Sequence, residues 1–212
     1  MTAARPSAVL LLARHGQTVW HAENRYAGVS DIGLTDEGRR QAAQLGEWAA
    51  RHPVDAIWTS TLTRAIETAE PACWALGLVP RRAYDLRECD FGEVEGRTLA
   101  EFAAEHPERA GEYRADPVVH PFPGAEDPRS AAARGTAALR RIADGHPGQR
   151  VLVVAHNTLL RLVLCELLSI PLGAYRRVFP QLRNGAVSEV RIGQEGGALF
   201  SLNVPCAPDV SP

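Results

Sequence analysis

The sequence predicts an α/β protein: a three-layer α/β/α sandwich with a mostly parallel central sheet, an antiparallel edge and a short helical insertion. Three observations carry that reading. Val9–Ala13 and Val151–Ala155 are continuous apolar runs without alternation, the pattern of strands buried on both faces of a parallel sheet. Between them, apolar residues recur at helical spacing, as Leu62, Ala65, Ile66 and Ala69 do. Further along, Ala186–Ile192 and Ala198–Asn203 alternate better and read as antiparallel edge strands.

The elements follow in order. Val9–Ala13 is the first strand, and a polar, glycine-containing loop runs on to Gly33. Thr35 is a good N-cap, and Asp36 and Glu37 suit the first turn of a helix that reaches Ala50. Asp55–Thr59 is a second short strand, after which Ser60-Thr61 opens another helix. A short edge strand is expected within Arg81–Leu86. Residues 97–128 break the pattern. Arg97–His106 reads as a weak helix, and Pro107, Pro117, Pro121, Pro123 and Pro128 then crowd a polar stretch. This is expected to be an insertion over the carboxyl edge of the sheet, a candidate lid. Arg129–Gly145 is helical, Val151–Ala155 ends on His156, and Leu159–Ser169 is apolar on most faces, hence a buried helix. Residues 204–212 read as a loose tail, and residues 1–212 as a single domain.

Composition excludes several function classes. All 23 basic residues are Arg, so a Walker lysine and Schiff-base chemistry are ruled out. Net charge is −2, the arginines are dispersed and aromatics are few, so no nucleic-acid partner is expected. An anionic substrate would have to be held by local Arg clustering. Cys73, Cys89, Cys165 and Cys206 are scattered without a C-x-x-C pair. That argues against a zinc site or a disulfide framework, fits a reducing cytoplasm, and leaves each as a small buried apolar residue. The apolar run before Arg14 is too short for a signal peptide, and no stretch is long enough to span a membrane. A homodimer is the default expectation for assembly.

The chemistry begins at Arg14-His15-Gly16, directly after the first strand. The chain leaves the sheet there at its carboxyl edge, where open α/β proteins place their ligands. A guanidinium, an imidazole and a glycine that lets the backbone come close suit an anionic group under nucleophilic attack. His156 echoes this at the end of the second apolar run. If the two strands are neighbours, His15 and His156 face each other across one cavity. His52, His106, His120 and His146 lack such a position and read as ordinary core or surface residues. Arg64 lies near the start of the helix after Ser60, where its fork adds to the partial positive charge of a helix N-terminus. Glu88 follows Leu86-Arg87, and a carboxylate beside a desolvated anionic site suits a proton donor. Asp90 and Glu95 read as unremarkable acids.

Six segments in order now carry a resemblance: R-H-G-Q-T from Arg14, E-N-R-Y-A-G from Glu23, D-I-G-L-T-D-E-G-R-R-Q-A from Asp31, S-T-L-T-R-A-I-E-T from Ser60, L-R-E-C-D-F-G-E-V-E-G from Leu86 and V-V-A-H from Val153. Over nearly its whole length the chain resembles branch 1 of the histidine phosphatase superfamily, the group related to cofactor-dependent phosphoglycerate mutase. The resemblance implies that His15 is a nucleophile that becomes a phosphohistidine. Arg14, Arg64 and His156 would bind the transferring phosphoryl group, and Glu88 would protonate the leaving oxygen and then activate water. Neutral imidazole can attack through one nitrogen while a backbone carbonyl fixes the proton on the other. Three cationic or donor groups on the equatorial oxygens make a metal unnecessary, so no residue is assigned to a metal and no cofactor is expected. Gly16, Thr18, His21, Asn157 and Arg25 complete the expected phosphate and substrate contacts, with Glu23, Asn24 and Tyr26 at the same mouth.

The chain departs from the family pattern in three places. Trp20-His21 stands where W-N is common, and that Asn helps hold phosphate, so His21 either replaces it as a donor or leaves the contact unmade. His156-Asn157 stands where H-G is usual, and Asn tolerates the left-handed backbone better than most residues. Pro123-Gly124-Ala125-Glu126-Asp127 stands where P-G-G-E-S is typical, and Asp127 is given no role. The expected function is metal-independent hydrolysis of a small phosphorylated metabolite through a phosphohistidine on His15. The rivals are a phosphoglycerate mutase using the same residues and a phospho-ligand binding module without turnover. The short, proline-rich insertion favours entry of water over return of the phosphoryl group. Phe102, Tyr113, His120 and Phe122 are expected to contact the leaving group.

Overall fold

In the computed structural model, which describes residues 6–193 and 196–206, two strands run parallel at the centre of the sheet: β1 (Ala8–Arg14) and β4 (Arg150–Ala155). Leu10, Leu11, Leu12 and Ala13 are all buried, as their unbroken apolar run requires. Alternate residues serve opposite cores. Leu10, Leu12, Val151, Val153 and Ala155 face one cluster, and Leu11, Ala13, Leu152 and Val154 face the other. Each buried leucine contributes about 1.5–3 kcal/mol relative to an exposed one.

The remaining elements are α1 (Asp36–Arg51), β2 (Ala56–Thr59), α2 (Thr63–Leu76), β3 (Arg81–Arg82), α3 (Leu99–Glu105), α4 (Pro107–Ala115), α5 (Pro128–Asp144), α6 (Asn157–Leu167), α7 (Tyr175–Val178), β5 (Val187–Gly193) and β6 (Gly196–Val204). The sheet order is β3-β2-β4-β1-β5-β6. β3, β2, β4 and β1 are parallel, and β5 and β6 add on antiparallel. Leu45 and Ala49 of α1 and Ala65, Ala69 and Ala72 of α2 cover one face. Ala138, Leu139 and Ile142 of α5 and Leu159, Leu162 and Val163 of α6 cover the other. This is the α/β sandwich with a mostly parallel sheet that the sequence predicts. Among the described residues no helix is long and apolar enough to cross a membrane.

Four local expectations are corrected. β5 is internal, because it pairs with β1 on one side and β6 on the other. Only β6 is an edge there, and it alone exposes Phe200, Leu202 and Val204. The second helix begins at Thr63, not at Ser60-Thr61. Asp31 caps it, accepting the Thr63 N–H at 2.8 Å and its hydroxyl at 2.6 Å. The proline-rich insertion holds a second helix, α4, with Pro107 in the first turn, where a missing N–H costs nothing. The tail expected from residue 204 is ordered as far as the structure describes it. Val204 ends β6, and buried Cys206 donates to the Gly185 carbonyl at 3.1 Å. Residues 207–212 lie outside the described residues.

β1 and α1 meet through two glycines. A Cβ on Gly16 would lie 2.5 Å from the Gly38 carbonyl oxygen, and one on Gly38 would lie 2.1 Å from that of Gln17. Backbone therefore touches backbone where the chain leaves His15. Gly38→Ala is expected to cost about 2–3 kcal/mol through overpacking, a drop of roughly 5–10 °C in Tm for a chain of this size. Differential scanning calorimetry checks it; a Tm within about a degree of the parent would mean that the loop moves freely.

Candidate active site

The loops after β1 and β4 leave the sheet toward opposite faces, one to α1 and the other into α6. That divergence opens a crevice at the carboxyl ends of two neighbouring parallel strands. Register places Arg14 beside Ala155, so His15 and His156 stand on the crevice floor. The His15 N–H donates to the Ala155 carbonyl at 3.0 Å, and the two imidazole centroids are 5.1 Å apart. The cleft above them has a volume of about 220 Å³.

His15 is held in one tautomer. Its Nδ1–H donates to the Gly16 carbonyl at 2.7 Å, which leaves the Nε2 lone pair free. The Gly16 carbonyl is fixed in turn, because the Gly16 N–H donates to Thr68 Oγ1 at 2.9 Å and the Thr68 hydroxyl donates to the Arg64 carbonyl at 2.6 Å. Burial, with the charges of Arg64 and Arg14 added, holds His15 well below the ordinary histidine range. A neutral, oriented imidazole is the form that can attack an electrophile.

His156 is fully buried, and its Nε2 lies 2.7 Å from Ser60 Oγ. With the serine hydroxyl donating, the ring proton sits on Nδ1, a buried donor that nothing else uses. Burial, Arg64 and His15 keep this ring neutral as well. Arg64 lies in the first turn of α2 with no exposed surface. It donates to the carbonyls of Ser30, Gly28 and Ala27 at 2.8, 2.8 and 3.2 Å, and its Nε is left without a partner. Arg14 donates to the Leu182 carbonyl at 2.7 Å, and its Nε is likewise buried and unpartnered. Burial lowers Arg14 to about 10, so it remains a cation at neutral pH. Among the described residues neither arginine has a carboxylate within ion-pair distance. Buried donors without partners are rare in native folds, and gathered around His15 they mark a place for an anion.

Glu88 lines the same cleft and is buried. Its Oε1 accepts the N–H groups of Cys89 and Leu159 at 2.9 and 2.8 Å, and its Oε2 accepts that of Thr158 at 2.9 Å. His156 at the N-cap of α6 makes no side-chain cap, so Glu88 caps this helix from far away in sequence. Arg134 of α5 positions it, donating to the carbonyls of Asp85, Arg87 and Glu88 while paired with Glu126. Asp127 caps α5 through the Arg129 N–H at 2.9 Å.

The other expected site residues divide. Thr18, His21, Arg25 and Asn157 line the cleft. Asn157 Oδ1 is buried without a partner. Gly16 offers no donor, since its N–H is committed to Thr68. Arg25 is not a free cation. It donates to Glu101, Glu23 and the Gly96 carbonyl, tying the loop to α3. His21 follows neither expectation. Its Nε2 accepts from Arg14 Nη2 at 2.6 Å, and its Nδ1 lies 2.8 Å from Thr18 Oγ1. It therefore holds the Arg14 side chain in place. Burial and Arg14 push its pKa down to about 4. Of the side chains expected to meet the leaving group, Tyr113 lines the cleft. Phe102 and Phe122 are buried in an aromatic core, with ring centroids 5.2 Å apart, and His120 is exposed on a different surface. Glu95 is no ordinary acid. It accepts N–H groups from Gly28, Val29 and Ser30, and so shapes the loop whose carbonyls hold Arg64.

Three neutral rings give stability a pH dependence. An unfolded chain protonates its histidines near 6.5, whereas His15, His21 and His156 resist until lower pH. Acid therefore favours the unfolded state. Stability is complete above about 6.5 and declines as pH falls toward 4, by up to about 1.4 kcal/mol per pH unit for each fully buried ring. Tm is expected to fall steadily from pH 7 to pH 5, above the range where carboxylates titrate. A flat Tm across that window would show that the rings take up protons in the folded state.

Comparison with known proteins follows from this geometry. The family model described as histidine phosphatase superfamily (branch 1) matches residues 10–205. Bifunctional protein Rv2228c of Mycobacterium tuberculosis is 37% identical over 181 residues, covering 85% of this chain and 50% of that protein. The chain thus spans about half the length of that relative. Probable phosphoglycerate mutase GpmB of Cronobacter sakazakii is 34% identical, with 94% and 92% of the two chains covered. The solved structure of mycobacterial glucosyl-3-phosphoglycerate phosphatase Rv2419c superposes with a TM-score of 0.84 at 26% identity, covering 93% of this chain and 99% of that one.

Proposed function

The chain belongs to the histidine phosphatase superfamily (branch 1), and we propose that it is a phosphomonoesterase that hydrolyses a small phosphorylated metabolite through a phosphohistidine on His15. One observation carries the reading. A neutral histidine with a free Nε2 sits among buried, unpartnered donors of Arg14, Arg64 and His156. Attack forms the Nε2–P bond and breaks the ester P–O bond, and the leaving oxygen takes a proton from Glu88. The phosphorylated ring is cationic, and the Gly16 carbonyl that accepts its Nδ1–H stabilises it. Water then attacks phosphorus, gives its proton to Glu88, and releases phosphate with His15 restored. The equatorial oxygens meet Arg14, Arg64 and the His156 Nδ1–H, donors fixed before the substrate arrives.

Hydrolysis is favoured over phosphoryl return by the short insertion, which holds only α3, α4 and the turn that follows. Solved relatives named as phosphatases support the same reading. Four free cysteines among the described residues support a reducing compartment, the cytoplasm, as the place of action. The test is release of phosphate from para-nitrophenyl phosphate with excess chelator present, followed by 3-phosphoglycerate as substrate. Aryl phosphate hydrolysis is expected. Rapid isomerisation of 3-phosphoglycerate with little phosphate release would replace hydrolase by mutase, and inactivity on both would reject turnover.

A further inference from the structure

We infer that the cleft holds a second anion-binding subsite, built by Arg161 and Arg176, and that the molecule it accepts carries a second anionic group besides its phosphoryl group. That this molecule is a substrate rests on the phosphatase reading, while the subsite itself stands on binding.

Arg161 of α6 and Arg176 of α7 line the same cleft as His15 and Arg14. Their guanidinium carbons lie 4.8 and 5.6 Å from the ring centroid of Tyr175, and Arg176 also sits 4.5 Å over Tyr113. Both are oriented by neutral groups. Arg161 Nε donates to the Phe179 carbonyl at 2.6 Å, and Arg176 Nε donates to the Tyr175 hydroxyl at 3.1 Å. Among the described residues, Arg161 Nη1 and Arg176 Nη2 donate to nothing, and neither arginine has an ion-pair partner.

The charge count in the cleft decides what these forks face. Glu88 is the sole acid lining it among the described residues, and its oxygens already accept three backbone N–H groups. A phosphoryl dianion offsets Arg14 and Arg64. The ionised Glu88 carboxylate offsets one more cation, so Arg161 and Arg176, stacked on tyrosines and partly desolvated, keep one positive charge unopposed. Holding the 175–182 segment in place accounts for the Arg161 bond to Phe179 but for neither free Nη group, and it does not require two cations. Uncompensated cations in a desolvated cleft are costly unless a ligand completes them. Planar forks with free N–H groups suit a carboxylate or a second phosphate.

The test compares two pairs that differ by one anionic group: 3-phosphoglycerate against glycerol 3-phosphate, and fructose 1,6-bisphosphate against fructose 6-phosphate. Calorimetric titration of full-length His15→Ala gives Kd without turnover. At least one doubly anionic member is expected to bind about tenfold more tightly than its partner. Arg176→Gln in the same background should reduce that preference to under about threefold, and Arg176→Lys, which keeps the charge, should retain more of it. Equal affinities within both pairs would overturn the subsite, as would a preference that Arg176→Gln leaves intact. A preference in Kd without hydrolysis of any ester would sink the phosphatase reading alone, and hydrolysis with equal affinities would sink the subsite alone.

Discussion

His15→Ala is expected to lower kcat for para-nitrophenyl phosphate by at least about 10⁴-fold, because loss of a covalent nucleophile removes the pathway rather than one contact. His15 is the only group on the crevice floor with a free nucleophilic nitrogen among the described residues. The His156 Nε2 is taken by Ser60, and both nitrogens of His21 are engaged by Arg14 and Thr18. No neighbour is therefore placed to substitute. Labelled phosphoryl donor, rapid mixing and alkaline quench should leave label on the parent chain and none on the variant. The fold should persist, since Leu10–Ala13 carry the burial of β1 and His15 lies beyond them. A variant that keeps its activity, or still traps label, would remove His15 from the nucleophile's place.

Some of this site could be read along the chain, and the reason is geometric. Arg14, His15 and His156 follow two unbroken apolar runs, and a strand buried on both faces must lie inside the sheet. Its carboxyl end is then the crevice. Glu88 was legible as a candidate acid but not as the cap of α6, because that cap joins residues 70 and 71 positions apart. Ser60, Glu95, Arg134 and Asn184 were not legible as site residues at all. Each acts on a partner that only the tertiary fold brings near, such as the His15 carbonyl that accepts from Asn184 at 2.8 Å. Arg161 and Arg176 are hidden in the sequence for a related reason. α7 has four residues and no period to detect, and Arg176 stands out only when the fold brings it into the cleft beside Arg161. His21 shows the limit of motif substitution. The motif offers a donor or a missing contact, while the surrounding donors, Arg14 and Asn184, make the ring's Nε2 an acceptor and leave its Nδ1–H to face Thr18 Oγ1.

Glu88→Gln is expected to lower kcat on alkyl phosphates by about 10²–10⁴-fold, the usual contribution of a positioned proton donor. On para-nitrophenyl phosphate, whose leaving group needs no proton, the loss should stay under about tenfold. Stability separates this chemistry from the second task of the residue. The carboxylate satisfies three buried N–H groups, two on Oε1 and one on Oε2. Gln keeps one oxygen, which can hold the Cys89 and Leu159 donors, and sets an NH₂ group against the Thr158 N–H. Ala removes all three acceptors and leaves the first turn of α6 without its cap. Glu88→Ala should therefore cost about 3 kcal/mol or more, lowering Tm by roughly 6–12 °C, and Glu88→Gln distinctly less. If the carboxyl group is the acid, the two variants share the leaving-group dependence while differing in Tm. If Glu88 serves only as a cap, activity on both ester types falls together, in step with the loss of stability, and Gln restores most of it.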